Sequence, residues 1–136
     1  RFNVNLTLVS PESLKMPKEI VDDLLALGCN VTETDNLYEN IKNSDVIYMT
    51  RIQKERFPDE DEYAKVSGIY KLTKMDLVGS KEDMIIMHPL PRVNEIHPSV
   101  DSTKHARYFE QAFNGIPTRM ALLCKSLGID IEKEVA

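Results

Sequence analysis

The chain has 136 residues, 42% of them hydrophobic and 29% charged, and a formal net charge of −5. That length allows one core, and the mix is that of a soluble globular domain rather than a disordered one. An acidic balance, with a pI near 5.2, excludes a general nucleic-acid binder, which needs a basic face to neutralise phosphates. No apolar run is long enough to span a bilayer and the first residues do not resemble a signal peptide, so no membrane partner is expected. Any anion site has to be local, built from a few placed arginines.

Val4-Asn5-Leu6-Thr7-Leu8-Val9 is β-rich and closes at Ser10-Pro11, which predicts a strand and a turn. Pro17 suits a first helical turn ahead of Ile20, Val21, Leu24, Leu25 and Leu27 at helical spacing, and Gly28 is the expected stop. Asn30 to Glu33 reads as a brief edge strand. Asp35 or Asn36 can cap a short helix carrying Leu37, Tyr38 and Ile41. Asp45 to Thr50 is a continuous apolar strand of the kind buried on both faces in parallel sheets. A charged helix is expected over Asp59 to Val66, stopped by Gly68, and its clustered carboxylates read as a solvated face. Thr73 and Asp76 resemble a capping box. Met84 to Met87 is a second apolar strand. Two helices follow, about Lys104 to Phe113 and Pro117 to Leu127, separated by Asn114-Gly115, and a polar tail from Asp130 to Ala136 is expected to fray. Strands alternating with helices predict an α/β architecture around a mostly parallel sheet. Cys29 and Cys124 have no partner at metal-ligand spacing and read as buried reduced thiols of a cytosolic protein.

In open α/β sheets ligands bind beyond the carboxyl ends of the strands. Two strands here run into unusual polar sequences, Thr50-Arg51-Ile52-Gln53-Lys54-Glu55-Arg56 and His88-Pro89-Leu90-Pro91-Arg92. Arg51, the first charge after a buried strand, can hold a carboxylate through two parallel hydrogen bonds, a geometry lysine cannot reproduce. Gln53 can add an amide contact if the segment stays extended. The same residues are also consistent with a solvated loop in which Arg51, Lys54 and Arg56 pair with Glu55 and nearby acids. In the second segment, two prolines in three residues remove two donors and make a rigid bend, able to present the Leu90 carbonyl to a ligand N–H. X–Pro bonds permit a cis peptide there. A polyproline-like surface loop or a plain chain reversal remains open, and His88 beside a core strand suits a hydrogen-bonded structural histidine better than a catalyst. No Gly-rich phosphate loop, histidine pair or activated nucleophile accompanies these segments, so no catalytic side chain, metal or cofactor is expected.

TRIQKER after an apolar strand, then MHPLPRVNEI and VDSTKHARYFEQAFNGIPTRMALL, is similar to the carboxy-terminal, aspartate-binding domain of aspartate carbamoyltransferases, from Arg1 almost to Ile129. The related ornithine enzymes usually carry a His-Cys-Leu-Pro turn and lack TRIQKER, so Pro89 and Arg51 favour aspartate. The resemblance implies a three-layer α/β/α fold and transfer of a carbamoyl group from carbamoyl phosphate to L-aspartate, the committed step of pyrimidine synthesis in the cytoplasm. It implies that Arg51 and Gln53 bind the side-chain carboxylate of aspartate. Leu90 and Pro91 would line the carbamoyl phosphate site through backbone oxygens, with a cis Leu90–Pro91 bond. Lys54 to Gly68 would be a loop that closes over substrates, Glu55 and Arg56 making closure ion pairs. Such a reaction needs positioning and charge stabilisation rather than a covalent intermediate.

The resemblance also implies partners: an amino-terminal carbamoyl phosphate domain or companion chain, a homotrimer of catalytic subunits, and in some members regulatory chains. The family's Ser-Thr-Arg-Thr phosphate loop, its carbamoyl-binding His and Gln, a Lys contributed by an adjacent subunit and a Gly-Arg-Thr arginine have no counterpart in these 136 residues. In the family the strand that belongs with Gly-Arg-Thr lies at the centre of the sheet, between the counterparts of Val4–Val9 and Asp45–Met49. Residues 1–129 therefore read as an aspartate-binding domain incomplete at its amino-terminal end, the middle of a longer polypeptide or a product of cleavage. The 116–128 helix, with Ile116, Met120, Leu123 and Leu127 on one face, normally packs on the absent domain. The chain alone is expected to be neither fully folded nor active. Two rival readings stay open: a non-catalytic α/β binding module derived from the same domain, and a carbamoyltransferase for another amine.

Overall fold

The computed structural model describes residues 4–129; the tail from Asp130 lies outside the described residues. Strand β1 (Asn5–Val9) is followed by helix α1 (Lys18–Ala26) and strand β2 (Asn30–Thr34). Pro17 sits at the N-cap of α1 rather than inside its first turn. The helix ends in a Schellman motif: Gly28, at φ +80°, donates to the Leu25 carbonyl and Cys29 donates to that of Leu24. Helix α2 (Tyr38–Ile41) is capped by Asn36, whose Oδ1 accepts from the N–H groups of Tyr38 and Glu39 at 3.1 and 3.3 Å. Strand β3 (Val46–Tyr48), helix α3 (Glu60–Val66) and strand β4 (Ile85–Met87) follow, and helix α4 (Tyr108–Ser126) closes the chain. Asp59 caps α3 by accepting from Glu62 N–H at 2.8 Å, and Asp76 closes the expected box at Thr73 by accepting from its N–H and hydroxyl, both at 2.7 Å.

All strand pairing between named strands is parallel, as the alternation predicted, but it forms two separate pairs. In one, Asn5 faces Asn30 and Val9 faces Thr34; in the other, Val46 faces Ile85 and Tyr48 faces Met87. No ladder joins β1 to β3 among the described residues. Each therefore has an open edge of unpaired backbone donors and acceptors, as expected where a sheet lacks its central strand. The far edge of β4 is bridged at Ala106, where Ile86 donates to the His105 carbonyl at 2.8 Å and Arg107 donates to Ile86 at 3.0 Å.

The core surrounds β3 and β4. Leu37, Ile41, Ile47, Met49, Leu72, Leu77, Met84, Ile86, Ile96, Val100 and Tyr108 form one buried cluster. The β1–α1–β2 portion buries Val21 alone, while Ile20, Leu25 and Leu27 remain exposed.

Three expectations need correcting. The strand after Asp45 is covered on one face only: Ile47 and Met49 are buried, whereas Val46 and Tyr48 are about half exposed. That face is only partly covered among the described residues, Gln111 of α4 reaching the Tyr48 hydroxyl. The two final helices are one helix, and Lys104 to Arg107 is irregular. A proline kinks a helix rather than ending it when good helix formers continue on both sides, as Phe109-Glu110-Gln111-Ala112 and Arg119-Met120-Ala121-Leu122 do here. The Thr118 hydroxyl donates to the Asn114 carbonyl at 2.7 Å. The two cysteines are free, and half-buried rather than buried. Most of the apolar surface of α4, including Phe113, Ile116, Met120, Leu123 and Leu127, is exposed. No helix among the described residues is long and apolar enough to cross a membrane.

Candidate functional site at two adjacent strand ends

Because β3 and β4 are hydrogen-bonded neighbours with Tyr48 opposite Met87, the two polar segments leave the sheet side by side. The pairing continues one step further, where Met49 N–H donates to the Met87 carbonyl at 2.9 Å. Arg51 stands three residues past Tyr48, and Leu90 three past Met87. The parallel register thus brings together the two segments that the sequence separates by more than thirty residues.

Arg51 to Gln53 is half-buried and irregular, and Lys54–Arg56 is a single exposed 3₁₀ turn. The Arg51 guanidinium holds the Glu55 carboxylate with both terminal nitrogens, Nη2 to Oε1 and Nη1 to Oε2, the latter at 3.3 Å. Hydrogen bonding to Arg51 keeps the Glu55 carboxyl below the ordinary glutamate range. The fork therefore engages a carboxylate in the bidentate manner expected of it, but one supplied by its own chain. Lys54 Nζ pairs with Glu60, the first residue of α3, at 2.6 Å, so Glu55 has its partner inside the segment and Lys54 has one just beyond it. Gln53 is in extended backbone at the head of the turn.

The second segment is built from below. His88 is 1% exposed. Its N–H donates to Gln111 Oε1 at 2.9 Å, and Gln111 Nε2 donates to the Tyr48 hydroxyl at 3.2 Å, which ties both strand ends to α4. The His88 ring accepts from Leu90 N–H at Nδ1, 2.8 Å away, and lies 2.7 Å from Glu95 Oε1 through Nε2. Glu95 is also buried and accepts from Val93 and Asn94 N–H groups at 3.1 and 3.0 Å. Burial pushes its carboxyl up, yet the backbone N–H groups and His88 outweigh that and hold it below the ordinary range. Leu90 sits at φ +50°, in the left-handed region that costs a non-glycine residue about 1–2 kcal/mol. The Leu90–Pro91 peptide is cis, as the resemblance implied.

Past Pro91 the turn is clamped again. The Arg92 guanidinium grips Asp101 at both carboxylate oxygens and also donates to the Tyr108 hydroxyl at 3.2 Å, while lying over the Tyr108 and Phe109 rings. Tyr108 donates to Asp101 in turn. Hydrogen bonding to Arg92 lowers the Asp101 carboxyl. Burial, then the Asp101 hydrogen bond, pushes the Tyr108 phenol up to about 12.

All seven predicted residues, Arg51, Gln53, Lys54, Glu55, Arg56, Leu90 and Pro91, fall on these two strand ends. Sequence reasoning missed the supports: Glu95, Asp101, Tyr108 and Gln111. Only Glu95 left a trace, as a carboxylate directly before an apolar core residue. The others sit at separations that no local pattern exposes.

The family profile described as aspartate/ornithine carbamoyltransferase, Asp/Orn binding domain, matches residues 1–125. The aspartate carbamoyltransferase catalytic subunit of Methanocella arvoryzae is 56% identical over 130 residues, covering 96% of this chain and 42% of the relative. Among solved structures, the catalytic subunit of M. jannaschii aspartate transcarbamoylase superposes with a TM-score of 0.79 at 49% identity, over 89% of this chain and 40% of that one. The Trypanosoma cruzi enzyme in complex with N-(phosphonacetyl)-L-aspartic acid gives 0.75 at 36% identity, over 86% of this chain and 38% of that one. The chain spans about two-fifths of the length of the relatives it matches, 42% of the Methanocella subunit. With nearly its whole length matched in sequence and fold, the chain belongs to the aspartate/ornithine carbamoyltransferase family, as its Asp/Orn-binding domain.

Proposed function

We propose that this chain supplies the aspartate-binding half of an aspartate carbamoyltransferase. The observation that carries the reading is the side-by-side emergence of Arg51 and the Leu90–Pro91 turn from paired parallel strands. A carboxylate fork and a donor-poor turn with backbone carbonyls to offer thus leave neighbouring strands side by side. In this reading Arg51, aided by Gln53, takes the side-chain carboxylate of L-aspartate, displacing Glu55. The carbonyls of Leu90 and Pro91 face the amide N–H groups of carbamoyl phosphate. The aspartate nitrogen attacks the carbamoyl carbon, the bond from that carbon to the phosphate oxygen breaks, and phosphate leaves as the amine gives up a proton. Holding the two reactants in line supplies much of the acceleration, and no side chain of this domain bonds covalently to either.

The remaining parts of the site belong to the rest of the polypeptide or a companion chain. Two features fit such a partner: the open edges of β1 and β3, and the exposed apolar residues Ile116, Met120, Leu123 and Leu127 of α4. Residues 1–129 are an incomplete domain in this reading, residues 116–128 dock on the carbamoyl phosphate domain, and Lys54 to Gly68 closes over bound substrates with Arg56 free to pair across the closing gap. The assembled enzyme is a cytoplasmic trimer of catalytic subunits, with or without regulatory chains.

Calorimetric titration of the assembled protein with N-phosphonacetyl-L-aspartate tests the reading. Tight binding that Arg51→Ala abolishes is the expected result. An assembled, folded protein that does not bind the compound is a non-catalytic module instead; one that binds carbamoyl phosphate but not aspartate serves another amine.

A further inference from the structure

We infer that His88, as a neutral ring protonated at Nε2, is a positioning residue that aims the Leu90 carbonyl, and that Glu95 holds the ring for this task. The inference rests on the carbamoyl transfer reading above and assigns a role to a side chain that touches neither substrate. The ring nitrogens have distinguishable partners. Leu90 N–H can only donate, so Nδ1, 2.8 Å away, has to be the unprotonated nitrogen. The ring proton then sits on Nε2 and is donated to Glu95 Oε1 at 2.7 Å. Glu95 is fixed from three more directions: Val93 and Asn94 donate to its carboxylate, and Leu72 N–H donates to its carbonyl at 2.8 Å. A ring that is 1% exposed and held at both nitrogens cannot turn without breaking a buried hydrogen bond.

The position of that ring matters because of Leu90. At φ +50° this residue occupies a conformation that L side chains rarely adopt. Its N–H is pinned by His88, and the direction of its carbonyl follows from the rotation about the bonds on either side of its Cα. Without the Nδ1 acceptor, Leu90 relaxes toward negative φ and its carbonyl swings away. The Arg51 fork, on the other strand end, shares no hydrogen bond with His88 or Leu90 and keeps its geometry. The two substrates should therefore respond differently.

Two amide substitutions separate the ring nitrogens in the assembled enzyme. His88→Gln places an N–H near the Nε2 position but offers Leu90 no acceptor. His88→Asn places an oxygen near Nδ1 but gives Glu95 no donor. His88→Asn forfeits a charge-assisted bond to a buried carboxylate and His88→Gln a neutral one, so His88→Asn loses more thermal stability. His88→Gln is expected to raise the KM for carbamoyl phosphate about tenfold and that for aspartate less than about twofold, and His88→Asn to recover most of the rise. Equal profiles for the two variants, or a KM change that follows Tm rather than the atom retained, overturn the inference alone. A wild-type assembly that makes no N-carbamoyl-L-aspartate overturns the parent reading and this one with it. If His88→Gln does not assemble, Leu90→Gly loosens the same backbone without touching the ring. It should raise the carbamoyl phosphate KM about threefold, and an unchanged value overturns the inference.

Discussion

The two strand ends reach the same place by opposite means. The Leu90 turn is anchored from beneath by His88 and Glu95 and from behind by Arg92, Asp101 and Tyr108, with much of that support buried. The Arg51 segment has less beneath it: its charged side chains are held by ion pairs at the surface, Arg51 to Glu55 and Lys54 to Glu60 of α3. A carbonyl has to be aimed in advance, because it cannot reorient without moving the chain. A guanidinium on a long side chain can exchange one carboxylate for another at little cost. Buried support is thus concentrated under the turn that the proposed function asks to present a backbone carbonyl, and exposed ion pairs hold the segment that it asks to present a charge.

The largest test of this contrast is Arg51→Ala in the assembled enzyme. It should lower kcat/KM for aspartate by at least about a hundredfold, from loss of a bidentate charged contact, while leaving Tm unchanged. A Tm fall comparable to that of a core substitution would place Arg51 among the structural anchors and erase the distinction. Asp101→Ala should do the reverse. It strips partners from Arg92 and the Tyr108 hydroxyl, so stability falls by about 2–3 kcal/mol in denaturant unfolding, and the carbamoyl phosphate KM rises more than the aspartate KM. Gln53→Ala, removing one neutral contact to a ligand, should cost about fivefold in aspartate KM, read from initial rates.

The anchored turn should also carry the pH dependence of stability. Glu95 and Asp101 titrate below their ordinary ranges in the folded protein, so their contribution is complete above the unfolded carboxylate range and is lost as pH falls through the folded values. Tyr108 is raised to about 12 from 10.0, so its contribution is complete below pH 10 and is lost as pH rises toward 12. Thermal melts across both limbs, repeated with Tyr108→Phe, should show the alkaline limb flattened in the variant. Smallest of all, Glu55→Gln should leave Tm unchanged at low and high salt, because an exposed pair four residues apart contributes little.

Much of this molecule could be read along the chain because its causes are local. Gly28 and Gly68 stop helices, Asn36 and Asp59 begin them, and the apolar runs around Ile47 and Ile86 are strands. The polar segments after those strands marked the candidate site, and the order of TRIQKER and HPLPR carried the family. The final helix was misread for the opposite reason. Asn114-Gly115 and Pro117 look like a stop when only local preference is weighed, yet a long helix loses one hydrogen bond there and continues.

Pairing and support depend on distance in space. That β3 lies against β4, rather than β1 against either, follows from long-range register, and only this makes neighbours of Arg51 and Leu90. The partners of His88 and the grip of Arg92 on Asp101 also depend on three-dimensional packing, whereas the Arg51–Glu55 pair, four residues apart, was open to a local reading. A sequence states which groups can donate and accept; which of them meet is decided by folding, where burial makes an unmatched polar group costly and so selects the pairs that persist.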